Sequence, residues 1–121
     1  MEADGLRALL ATKTGTVIES LPSARGVTLH KVMGKMFAIV SAAKSRFVVL
    51  KCDPHLAEVL REQYAGVGHR THLDRRFWIA VDLEADVPPG EIERLAAHSY
   101  DLVCAGLTRK QRAELAALAE P

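Results

Sequence analysis

The chain has 121 residues, 49% of them apolar and 26% charged, the balance of one globular domain with enough material for a core of its own. That composition excludes a disordered chain, and the longest plain apolar run, Met36 to Val40, is far short of a bilayer span. Net charge is only +1, but residues 25–76 hold ten Lys/Arg against four acids and residues 77–106 hold one against six. A basic half of this kind suits an anionic partner, unless folding mixes the two blocks in space.

Leu6, Leu9 and Leu10 have helical spacing, with Asp4 placed to cap the helix and Gly15 just beyond its end. Leu21-Pro22-Ser23 breaks the chain and Arg25-Gly26 turns it. Three strands are expected next: Val27 to Lys31, then 35–42 after Gly34, then 46–52 after Lys44-Ser45. Short polar connections make these antiparallel hairpins. Asp53-Pro54 starts a second helix, with Leu56, Val59, Leu60 and Tyr64 on one side, and Gly66 and Gly68 end it. A short strand at Arg70–Leu73 and a clearer one from Phe77 to Leu83 follow. Pro88-Pro89-Gly90 opens a helix whose buried stripe is Ile92, Leu95, Ala96, Ser99, Leu102 and Val103. Thr108 and Gln111 have the spacing of a capping box for a last helix carrying Leu115 and Leu118.

The order is therefore α-β-β-β-α-β-β-α-α, spanning residues 1–121 as a single domain. It predicts an α+β domain of two layers: an antiparallel sheet of about five strands with helices packed mainly on one face. A doubly wound parallel sheet needs a helix between successive strands, and the first three strands have none.

The strands over 35–42 and 46–52 are apolar on both sides. Phe37 and Ile39 point one way and Met36, Ala38 and Val40 the other, while Phe47 and Val49 oppose Val48 and Leu50. With helices on one side only, the second face needs cover from a helix, a second copy of the chain or a ligand. Trp78 alternates with Phe77, Ile79, Val81 and Leu83 and so falls on that second face beside Arg76. Lys35, Lys44, Arg46, Arg70 and Arg75 lie on neighbouring strands or turns. Cations that meet phosphates around a ring that stacks on a base make a nucleic-acid surface. The same composition serves a protein interface or homodimer, and a Trp78 tucked under a terminal helix would serve neither.

Enzyme chemistry finds no foothold. Cys52, His55, His69 and His72 have zinc-like spacing in pairs, but the vectors diverge if 70–73 is a regular strand. His98, Ser99 and Asp101 fan around one helix and cannot form a relay. Asp82, Glu84 and Asp86 suit a solvated strand end, and Gly66-x-Gly68 precedes no helix that would cradle a phosphate. No catalytic residue, cofactor or metal is expected. Two cysteines, Cys52 and Cys104, are too few for a disulfide framework, and the acids Glu2 and Asp4 stand where a secretory signal is basic. The expected setting is cytoplasmic and reducing, with no membrane partner.

Lys35-Met36-Phe37-Ala38, the Asp53-Pro54 helix start, His72-Leu73 followed by Trp78, and Ser99-Tyr100 occur in an order that resembles the MmcQ/YjbR family over residues 6–115. The stretch from His72 to Trp78 is the most characteristic. The resemblance implies a compact two-layer α+β domain, similar in topology to the secretion-chaperone-like arrangement. It also implies DNA binding, through likeness to a double-wing DNA-binding fold, and carries over no catalytic residues. The family positions in this chain are Lys35, His72, Trp78, Ser99 and Tyr100. Many members have an aromatic-rich stretch before the first strand; this chain has Leu21 to Gly26 there instead.

Overall fold

The computed structural model describes residues 1–70 and 72–119. Its elements are α1 (Ala3–Ala11), β1 (Thr16–Ser20), β2 (Val27–Val32), β3 (Lys35–Ala42), β4 (Arg46–Lys51), α2 (Pro54–Gln63), β5 (Val67–Gly68), β6 (Trp78–Asp82), α3 (Pro89–Ala105) and α4 (Arg109–Ala119). The strands form a six-stranded antiparallel sheet in the order β1-β2-β3-β4-β6-β5. The α+β class and antiparallel sheet expected from the sequence are what the chain adopts. None of the described helices is long and apolar enough to cross a membrane.

One strand more is present than expected. β1 has the sequence TVIES, and all but its first residue is exposed, so no in–out alternation marks it. It is ordered by pairing with β2 from Thr16–Val32 to Ser20–Thr28. Met33 and Gly34, both at positive φ, make the two-residue turn between β2 and β3. The strand expected at Arg70–Leu73 forms instead at Val67–Gly68, where Gly68 pairs with Ala80; of the expected segment, Thr71 lies outside the described residues.

Val40, Val48, Val81 and Val67 occupy one row of cross-strand neighbours on the core face, and Ala38, Leu50 and Ile79 the next. Leu6 and Leu10 of α1 and Ile92, Leu95, Ala96 and Val103 of α3 cover them. Phe37 joins this core, contrary to the simple alternation that placed it opposite Ala38. The register slips between His30 and Lys31, which pair with Ala38 and Met36 and leave Phe37 as the extra residue of a bulge. Its ring is fully buried and meets Tyr100 edge-on at 5.3 Å.

At that bulge Ser99 enters the sheet. Its hydroxyl donates to the Phe37 carbonyl at 2.6 Å and accepts from the Lys51 amide at 2.8 Å. The side chain thus stands in for the rung that would follow the Ala38–Leu50 pair.

The helix starts follow the capping signals unevenly. Asp53 accepts from the Leu56 amide at 3.1 Å, and Thr108 and Gln111 exchange both bonds of the capping box at 3.1 Å. Asp4 is no cap: α1 begins at Ala3, two residues earlier than an Asp4 cap would set it, with Glu2 at the cap position, and Asp4 sits in its first turn beside Arg7. On α2 the buried residues are Ala57 and Leu60, and Val59 points to solvent. Asp53→Ala removes one cap, with an expected loss of about 1 kcal/mol and a fall in Tm of roughly 4 °C. A thermal melt followed by circular dichroism measures it, and an unchanged melt would mean that α2 is held by packing alone.

Candidate nucleic-acid interface

The second sheet face is covered neither by a helix nor left bare. Its central residues Val49 and Ala80 are buried, although they lie outside the main core cluster. The β5–β6 connection folds back over this side: the Arg70 guanidinium lies 4.9 Å from the centre of the Phe47 ring, and Leu73 lines a groove with Met36 and Lys51. His69 Nε2 lies 2.6 Å from the Leu73 carbonyl and closes the loop on itself. Arg61 of α2 anchors the far side, donating to the carbonyls of Arg75 at 2.7 Å and Trp78 at 3.0 Å. An open, cation-rimmed sheet face is therefore not what the chain presents.

The accessible surface lies at the end of the sheet where β3 begins, β4 ends and β6 begins. Lys51 and Trp78 are cross-strand partners there. They form the wall between two grooves of about 400 Å³ each. One runs between Lys35 and Trp78 past Leu73 and Val103. The other runs from Trp78 to Pro54 past Phe77 and Leu102. Pro54 is shared in turn with a third groove of about 440 Å³, lined by Arg61, Arg75 and Arg76 and by Glu58 and Glu62. The three adjoin in turn through these shared residues, and this run of grooves is the trough.

The expected site residues divide between two regions. Lys35, Arg75, Arg76 and Trp78 border the trough. Lys44 and Arg46 sit at the opposite end of β4 with the Arg70–Phe47 pair, roughly 17 Å away at the rise of an extended strand. His72 is exposed on the connecting loop. Phe77, expected in the core, is 38% exposed, because β6 begins only at Trp78 and the Asp74–Arg76 turn precedes it. Lys51, Leu102 and Pro54 escaped sequence reading because they join the trough only through register and helix packing.

Charge at the site is partly neutralised. Arg76 chelates Asp74, with the shortest contact at 2.7 Å, and these hydrogen bonds hold the Asp74 carboxyl down at about 2. Arg46 pairs with Glu84 at 2.8 Å. Among the described residues Lys35, Lys51 and Arg75 enter no ion pair. Burial first, and then the neighbouring Arg75, lower the pKa of Arg61.

The other candidate groups do not converge. Both partners of Ser99 are backbone atoms, His98 Nε2 faces the Asp53 amide at 3.5 Å, and Asp101 is exposed. Cys52 is buried, and burial pushes its thiol up to about 11; no three His, Cys, Asp or Glu side chains among the described residues are grouped to hold a metal. Asp86 accepts from the Ala65 and Gly66 amides at 2.9 and 2.7 Å and is a loop tie.

A family model described as YjbR matches residues 11–102. The uncharacterized protein YjbR of Escherichia coli (strain K12) is 38% identical over 74 residues, which is 60% of this chain and 63% of that protein. The chain thus spans less than two thirds of that relative's length. Among solved structures, Deinococcus radiodurans DR2400, with a DUF419 domain, superposes with a TM-score of 0.82 at 28% identity over 93% of this chain and 86% of that one. A Pseudomonas syringae protein superposes with a TM-score of 0.72 at 21% identity, over 84% of this chain and 98% of that one, a likeness of fold.

Proposed function

The chain belongs to the YjbR family, and on that footing we propose that it is a DNA-binding module that works without chemistry of its own, through the trough at the end of its sheet. The observation that carries this reading is Trp78, half-buried in the wall between two grooves, beside Lys35 and Lys51, which have no carboxylate partner among the described residues. Lysines of this kind meet phosphates, and an indole between them offers a base a face to stack on. The reading leaves out Lys44 and Arg46 and recruits Lys51.

Fluorescence anisotropy with labelled DNA at about 50 and 200 mM salt tests it. Binding should weaken steeply with salt. Lys35→Ala combined with Lys51→Ala should cost roughly tenfold at low salt and flatten the salt slope by about two phosphate contacts. Binding that ignores salt, or a double variant that behaves as wild type, removes the trough from the proposal.

A second reading is a homodimer, and one observation favours it at a different place. β1 is the outer strand of the sheet, and Val17 and Ile18 on it are 57% and 44% exposed. Two copies would pair along this edge by strand addition. Light scattering at micromolar concentration decides it, since a monomer there excludes the dimer as the working form.

A further inference from the structure

We infer that the trough takes single-stranded DNA, laid in as an extended chain with an unpaired base against Trp78. This rests on the nucleic-acid reading above and sharpens it from DNA in general to a strand whose bases are free.

The shape of the site is the first ground. Three grooves stand in file, the first two sharing Lys51 and Trp78 and the last two sharing Pro54. A file of adjoining grooves suits a linear ligand whose units enter one after another. Trp78 is not displayed on a convex surface; it is partly buried in a wall, with α3 contributing Leu102 on one side and Val103 on the other. In a duplex each base has both faces covered by its neighbours and its edge engaged with its partner. An indole recessed in a groove meets a base face only when that base is unstacked and unpaired.

The elements that build the site are the second ground. The trough is made from strand ends, the face of α2 that carries Pro54, Glu58, Arg61 and Glu62, and the end of α3. A helix or two-stranded ribbon that enters a major groove is the usual way to read a duplex; of the helices that border the trough, α2 lines it with Glu58 and Glu62, carboxylates that suit it poorly to lie against a duplex backbone. Strand-end aromatics flanked by cations are instead how single strands are held.

Charge placement is the third ground. Lys35 lies on one side of Trp78 and Arg75 on the other, beyond Pro54, with Lys51 at the ring itself. A stacked base has a phosphate on each side of it along the chain, so cations are needed on both flanks. Glu58 and Glu62 line the third groove with the arginines, so phosphate contact on that flank is confined to the neighbourhood of Arg75.

The chain has a single tryptophan, so its own fluorescence reports the site. Oligothymidylate, oligouridylate and a hairpin duplex are titrated at low salt while Trp78 emission is followed. The single strands should quench the emission and bind at least about tenfold more tightly than the duplex. Oligothymidylate is the expected occupant, and oligouridylate bound several-fold more tightly than it overturns the inference. Trp78→Leu should lose roughly tenfold or more in single-strand affinity, measured by anisotropy, and Trp78→Phe should retain most of it. Lys44→Ala, at the far end of the sheet, should match wild type. Circular dichroism melts establish that each variant is folded. A duplex bound as tightly as the single strands, or single-strand binding that leaves Trp78 emission unchanged, overturns the inference while the DNA reading stands. Failure of all three nucleic acids to bind overturns both.

Discussion

Ser99→Ala is expected to destabilise the domain by about 2–4 kcal/mol. The hydroxyl is buried and makes two bonds, to the Phe37 carbonyl and from the Lys51 amide. Alanine would leave the buried Phe37 carbonyl and the part-buried Lys51 amide without a partner, each costing roughly 1–2 kcal/mol. A direct rung does not form between them, because the β3–β4 ladder ends at the Ala38–Leu50 pair and the Ser99 hydroxyl bridges the next position. A urea unfolding curve should show the midpoint falling with its slope unchanged. Ser99→Gly would leave the same two groups exposed to a small cavity that a water can fill, and should recover part of the loss that the bulge groups suffer, offset by the helix penalty of glycine, about 1 kcal/mol. A wild-type midpoint for Ser99→Ala would mean that the two backbone groups find each other after all. The position also bears on the proposed site. Ser99 fixes the last amide of β4, and Lys51 is the residue whose side chain shares a groove wall with Trp78.

This serine illustrates what was legible in the sequence. Its place on the buried stripe of α3 follows from helical periodicity, as do Ile92, Leu95, Ala96 and Val103. Its partners do not, because they depend on a bulge in β3 that no alternation rule reveals. The same bulge turned Phe37 into the core and spoiled the two-sided reading of β3. Caps were readable where side chain and backbone meet within a few residues, as at Asp53 and Thr108. β1 was not, since its order comes from pairing with β2 and its own residues are exposed.

The candidate site divides the same way. Trp78 and the basic character of residues 25–76 are local facts of the sequence. The trough depends on the register that sets Lys51 against Trp78 and on the packing that brings Leu102 of α3 and Pro54 of α2 alongside. A linear reading therefore grouped Lys44 and Arg46 with Trp78, although β4 carries them to the other end of the sheet. The loop that folds back toward the second face was equally hidden: its arginines read as a rim, whereas Arg70 lies on Phe47 and Arg76 is taken up by Asp74.

Acid should weaken the fold in a window set by His30. The ring is fully buried at the junction of α1, β2 and α3, edge-on to Phe37 with ring centres 6.4 Å apart. Arg7 of α1 donates its Nε to Thr28 Oγ1 at 3.0 Å, and Thr28 Oγ1 lies 3.0 Å from His30 Nε2. The Thr28 hydroxyl can donate to His30 Nε2 or, with its second lone pair, accept from it; in either tautomer His30 Nδ1 has no partner among the described residues. Burial, reinforced by the Arg7 charge, pushes the imidazole down to about 4 from 6.5. A folded pKa below the unfolded one means that the unfolded chain binds the extra proton first. Stability is then full above pH 6.5, declines as pH falls, and levels off below about 4. The total is about 3 kcal/mol, with about 2 kcal/mol gone by pH 5. Asp74 and Asp86 are held below their usual value of 3.8, so their stabilisation is lost only at lower pH and leaves this window to the histidine. Urea midpoints measured from pH 7.5 to 4.5 should trace the decline. In His30→Gln, which keeps the size and polarity of the side chain but cannot ionise in this range, the curve should be flat between pH 6.5 and 4.5 even if the variant is less stable throughout. A decline of the same size in His30→Gln would assign the acid sensitivity to other groups.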